Sequence, residues 1–255
     1  MIPFFRRIRR KSAFDDKPLK YMRYAIGEIV LVVIGILIAL QINNWNQDRL
    51  QQNQEIHLLN TLLKDLKQAE NKSIELINKE ETIFKSFNFF LSGKPAQNKL
   101  LNNPKIDSIF SRLIWGSVSK EVPVINSYTD LKNAGETGLI SNENVRVHLS
   151  SLENSISVLT EILDDRMSVQ LINIDGLIIH NMNFLQLLKF DPRLKVDYGQ
   201  KNDYAELFQN QVILNVIAIK LDLTDSVIRD RNLLLIEIQE LIQLIETELL
   251  DKKKS

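Results

Sequence analysis

The stretch Tyr24–Asn46, YAIGEIVLVVIGILIALQINNWN, decides how the rest of the chain is read. Its centre, Ile29 to Leu40, runs twelve residues without a polar side chain. Twelve suits the core of a cleavable signal peptide and is too short to cross lipid. Carried outward to Tyr24 and Trp45, the helix has 22 residues. That is about 33 Å at 1.5 Å per residue, enough for a hydrocarbon layer of about 30 Å. Tyr21, Tyr24 and Trp45 sit where interfacial aromatic belts lie, and no small-x-small cleavage site follows the apolar run. These features favour a permanent anchor over a cleaved signal. They also disfavour a core helix of a soluble protein, in which the basic residues ahead of it would have no use.

Those charges set an orientation. Residues 1–24 hold eight Lys/Arg against Asp15 and Asp16, a net of +6, which the rest of the neutral chain balances with −6. Beyond Trp45 the nearest basic residue is Arg49. The positive-inside rule therefore predicts a cytoplasmic leader over residues 1–23, a membrane span over 24–45 and an extracytoplasmic domain over 46–255. In the leader, Arg6, Arg7, Arg9, Arg10 and Lys11 alternate with Ile2, Phe5 and Ile8, a pattern expected to lie along anionic lipid. Membrane lipid is thus an expected partner and nucleic acid is not. Glu28 falls about one turn inside the cytoplasmic end, within reach of Lys20 or Arg23, where a carboxylate is tolerated or meets a partner helix. Gly27, Gly35 and Ala39 share one face, a pattern that lets helices approach closely and predicts self-association in the membrane.

Beyond the span the chain reads as all-α: alternating apolar segments bounded by turn residues are missing, and the six prolines leave long stretches free. No Gly or Pro falls between Gly35 and Gly93, so the membrane helix is expected to continue as one rod into a first bundle helix, with Ile56, Leu59, Leu63, Leu66, Ile77, Phe84, Phe87 and Leu91 inward. Residues 92–104 read as a loop. A short helix follows over KIDSIFSRLIW, with Ile106, Ile109, Phe110 and Leu113 inward and Gly116 closing it. Ser127 is expected to cap the next, which Gly135 stops, and Ser141 to cap a long one carrying Val145, Leu149, Leu152, Ile156, Leu159, Leu163, Met167, Leu171, Ile174, Ile178, Met182 and Leu185, with Gly176 marking a close contact or a kink in it. The step of four from 163 to 167 to 171 predicts local unwinding. Last comes a strict heptad, Leu207, Leu214, Leu221, Ile228, Leu235, Ile242 and Leu249, which predicts one helix from about Asp203 to Leu250. Together these helices predict an antiparallel bundle.

Two blocks resemble a known family. The span with its Phe-Phe-Arg leader, and SYTDLKNAGETGLISNENVRVHL with Tyr128, Leu131, Gly135, Leu139, Ile140 and Arg146, are similar to single-pass inner-membrane proteins of Gram-negative bacteria grouped under a domain of unknown function. The resemblance implies an inner-membrane anchor carrying a periplasmic helical domain, and implies no activity.

Chemistry is sparse. The chain has no cysteine, which excludes disulfides and thiolate nucleophiles. No phosphate loop, G-x-S-x-G or H-E-x-x-H occurs. His57, His148 and His180 are read as packing or surface residues, and no metal or cofactor is expected. A speculative polar pocket is Asp175, His180 and Asn181. The favoured function is a non-catalytic scaffold, accessory subunit or binding domain for an unidentified protein partner. The alternatives are an enzyme built around His180 and a purely structural coiled-coil dimeriser.

Overall fold

The computed structural model describes residues 18–114, 119–174, 176, 180–189 and 193–253. Among them helix is the only regular secondary structure. The elements in order are α1 (Pro18–Leu91), α2 (Lys94–Leu101), α3 (Ile106–Ile114), α4 (Asn126–Asn133), a 3₁₀ turn (Thr137–Leu139), α5 (Glu143–Val169) with a π-helical turn (Gln170–Ile174), α6 (Leu185–Leu188), α7 (Tyr204–Leu207) and α8 (Gln211–Lys252). The chain divides into two compact units, Met1–Ile56 and His57–Ser255.

In the first unit the apolar stretch is helical and uncovered. From Ile29 to Leu40 every large apolar side chain is between 47 % and 64 % exposed, on all sides of the helix. No Gly or Pro after Gly35 interrupts α1 before its end at Leu91.

In the second unit, α1 buries Leu59, Leu62, Leu66, Ala69, Ser73, Leu76, Glu80, Phe87 and Phe90, with Ile83 half-buried between Glu80 and Phe87. This is an unbroken three-and-four alternation, one that includes the polar Ser73 and Glu80. The expected face was set slightly off it: Leu63, Ile77, Phe84 and Leu91 flank the seam half-buried. α5 does the same. Val145, Leu149, Leu152, Leu159 and Leu163 are buried, and the seam then keeps its spacing through Arg166 and Gln170 and does not step to Met167 and Leu171. Leu171 and Ile172 are exposed, so the core step behind the expected unwinding is not made; the α-helix gives way instead to the π-helical turn at Gln170–Ile174, and Leu185, expected on the same helix, opens the separate helix α6.

The last helix is shorter than its heptad implied. Asp203 caps α7 through Ala205 N and Glu206 N, where the helix is expected to start, but Asn210 caps α8 through Val212 N and so splits the expected single helix in two. Along α8 the centre of the buried face is Ile213, Ile217, Lys220, Thr224, Val227, Arg231, Leu234, Ile238, Leu241 and Ile245. The Leu/Ile heptad lies beside that line, with Leu214, Leu221 and Leu235 half-buried. A third apolar line widens the buried face beyond a two-stranded seam, as globular packing requires. Residues 92–104 also hold more helix than expected, since Pro95 sits in the first turn of α2, where proline is welcome.

Side chains tie the elements together. Lys67 meets Glu246 at 2.6 Å, Gln239 donates to Glu70 at 2.9 Å, and Asn142 donates to Glu248 at 2.5 Å. An aromatic cluster closes one end, with Phe90 edge-on to Phe208 at 4.9 Å and Phe110 edge-on to Tyr204 at 5.3 Å. The turn between α4 and α5 follows from three residues. Gly135, at φ 71°, supplies the left-handed conformation that ends α4, so that Gly135 N donates to Lys132 O and Glu136 N to Leu131 O. Ile140 is fully buried, and Arg146 clamps the carbonyls of Ile140 and Ser141 at 2.5 and 3.0 Å. The expected caps are displaced. Asn142, not Ser141, caps α5, and α4 starts at Asn126, where Ser127 N donates to Asp65 of α1 at 2.9 Å.

Candidate functional site, a buried charge network

The seams of α1, α5 and α8 each carry a charged residue at a core position, and the three meet. Glu80 (α1), Arg166 (α5) and Arg231 (α8) are 3 %, 5 % and 2 % exposed. Arg166 grips Glu80 with both ends of its fork, Nη1 to Oε2 at 2.7 Å and Nη2 to Oε1 at 2.9 Å. Nη2 also donates to Ser119 O at 3.0 Å. Arg231 approaches the same carboxylate at 3.5 Å and donates through Nη1 to Glu121 O at 3.0 Å. Its Nε and Nη2, and Nε of Arg166, have no hydrogen-bond partner. A planar guanidinium suits this arrangement because it can match a carboxylate with two parallel bonds while resting against a neighbour.

About three turns back along α8 from Arg231, Lys220 is buried too. Its ammonium donates to Ile114 O at 2.6 Å and Gln170 Oε1 at 3.0 Å, and lies over the Phe87 ring. Burial, helped by the nearby Arg166 charge, pulls its pKa from the usual lysine value down to about 7. Burial also pulls the Arg231 guanidinium below its ordinary value, against the opposing pull of Glu80. A single carboxylate thus faces two guanidinium groups, with a third cation nearby that gives up its charge near neutrality.

A second buried acid, Asp107 of α3, accepts from Tyr204 Oη at 2.5 Å and pairs with Lys189. Burial first, and Asp107 second, raise the Tyr204 phenol well above its usual pKa. Open clefts flank the network. One is lined by Glu75, Leu76, Glu80, Ile83 and Ser119. Another, of 360 Å³, is lined by Ile83, Phe87, Phe89, Leu100 and Ile109 with Arg112 at its side.

The residues singled out in sequence fall elsewhere. Arg6, Arg7, Arg9, Arg10 and Lys11 lie outside the described residues, as do Asp175 of the polar cluster and Gly116 of the expected stop. His180 and Asn181 are exposed, and Asn181 accepts from Asn210 at 3.5 Å. Asn183 forms a clasp, donating to Tyr198 O and Gln200 O at 2.7 Å each. Gly27, Gly35 and Ala39 are exposed, and a Cβ built on either glycine meets nothing within 4 Å. Sequence reasoning missed the charge network. Its signal was present, however: Glu80, Arg166 and Arg231 each fall in step with apolar neighbours spaced three and four apart.

Residues 28–177 match DUF6090, a family of unknown function. The chain belongs to this family. The DUF6090 match takes in Glu80, Arg166 and the α4–α5 turn, and stops before Lys220 and Arg231. No curated protein and no solved structure matches the chain. Membership of DUF6090 brings no activity with it.

Proposed function

We propose that the chain is a membrane-anchored, non-catalytic helical module of the Gram-negative inner membrane. Residues 24–45 span the bilayer, the basic leader rests on the cytoplasmic leaflet, and the helical domain works in the periplasm as a scaffold, accessory subunit or binding domain. One observation carries the anchor. The helix at Ile29–Leu40 is apolar on every side and covered on none, and such a helix belongs in a protein core or in lipid. It is the one described helix long and apolar enough to cross a membrane. The pairs Lys67–Glu246, Glu70–Gln239 and Glu80–Arg231 rise along α1 as they fall along α8, which supports an antiparallel bundle. A non-catalytic reading is supported by how the buried charges are used. Both oxygens of Glu80 are held by Arg166, and the Lys220 ammonium is held by a carbonyl and an amide. The Gly27, Gly35 and Ala39 face supports self-association within the membrane.

The absence of cysteine makes the topology test clean. Single variants Ser12→Cys and Asn98→Cys are placed in the full chain and treated in intact spheroplasts with a maleimide that cannot cross membranes. Labelling at position 98 and protection at position 12 are expected. The reverse pattern, or a mature chain starting beyond Trp45, would overturn the reading.

A further inference from the structure

α5 and α8 bring three metal-ligating side chains to one point that the function proposed above does not use. His148 stands next to buried Leu149 on α5. Glu237 and Glu240 are three apart on α8, and residues at that spacing share a helix face. His148 Nδ1 lies 3.5 Å from Glu237 Oε2 and 3.9 Å from Glu240 Oε2. One ligand atom from each of His148, Glu237 and Glu240 lies within 4.8 Å of the other two. Two of these atoms have a further property. His148 Nδ1 and Glu237 Oε2 are shielded from water and have no hydrogen-bond partner. An orphaned buried polar atom costs about 1–3 kcal/mol, so two of them aimed at the same point call for something between them.

We infer that His148, Glu237 and Glu240 form a binding site for a divalent transition-metal ion of the zinc type, bridging α5 and α8. At bond lengths of about 2.0–2.1 Å, neighbouring ligands around a tetrahedral zinc lie roughly 3.3 Å apart. The observed gaps reach that value with small side-chain rotations. One imidazole nitrogen and two carboxylates make a borderline donor set with charge −2, which neutralises a divalent cation. Calcium and magnesium instead take six or more oxygens, which this point does not offer. Glu240 is exposed, so water has access to a fourth position. The signal was invisible in sequence because the histidine and the Glu-x-x-Glu pair lie on different helices, far apart along the chain.

The test uses the full chain in detergent, stripped with a chelator and titrated with Zn²⁺ by calorimetry and thermal melting. One equivalent of zinc is expected to bind and raise Tm, while Mg²⁺ leaves both readouts unchanged. His148→Ala, Glu237→Gln and Glu240→Gln should each weaken binding by about tenfold or more. A double variant, His57→Ala with His180→Ala, should retain the single site. Circular dichroism without metal checks each variant's fold, and Glu240→Gln, altered at an exposed position, serves should His148→Ala misfold. No binding at about 1 mM zinc, unchanged affinity in Glu240→Gln, or loss of the site in the double variant would each overturn the inference.

Discussion

Glu80 is the residue on which the buried charges depend. Removing one partner of a buried ion pair is worse than removing all of them, because the survivors stay desolvated and unmatched. Glu80→Gln leaves Arg166 and Arg231 facing no carboxylate, and a loss of about 3–5 kcal/mol is expected in urea melts of the detergent-solubilised chain. The triple variant Glu80→Leu, Arg166→Met, Arg231→Met should be no less stable than the parent in the same melts. Lys220 gives a pH signature. Its folded-state pKa is about 7 against an ordinary 10.5, so between those values the unfolded chain binds the extra proton and stability rises with pH. The penalty of charging Lys220 in the fold is therefore greatest below about pH 7. Lys220→Met should gain less stability than the parent on going from about pH 7 to about pH 10. Equal gains in the two proteins would count against the assignment. These residues were hard to read in sequence because Arg and Lys are ordinarily surface residues. Only their register with apolar neighbours marks them as inward, and apolar counting passes over them.

At the scale of elements, helices and their stops were legible where one residue type dictates the backbone. Gly135 ends α4 because its positive φ suits glycine, and the apolar period identified α5 and α8. Boundaries set by competition were not legible. The start at Asp203 was legible, but Asn210 can sit in a helix or cap one, and tertiary packing chose the cap. The strict Leu/Ile heptad marked the last helix from Leu214 onward but not its break from α7 or the middle of its buried face, since a broad interface has three apolar lines and the purest need not be central. The start of α4 depends on a carboxylate from another helix, Asp65, which no local reading supplies. Asp65→Ala should cost about 1 kcal/mol, the usual value of a helix cap. Hydrogen exchange should show it as faster loss of protection at Ser127 while the centre of α8 is unchanged.

For the whole molecule, the division at residue 56 has a direct consequence. The apolar core from Leu59 to Leu249 lies within the His57–Ser255 unit. A fragment starting at His57 is expected to be helical and to melt cooperatively in plain buffer, whereas the full chain should need detergent to stay dispersed. Circular dichroism and size-exclusion chromatography read both, and an aggregated or unstructured fragment would show that the domain depends on the preceding helix. The uncovered apolar segment of α1 bears on encounters as well as on solubility. A chain held by such a segment in a lipid sheet diffuses in two dimensions, where neighbours meet far more often than at the same copy number in bulk. In the membrane placement proposed above, a contact too feeble to survive dilution would be well populated, and purified material studied far apart in solution would understate it.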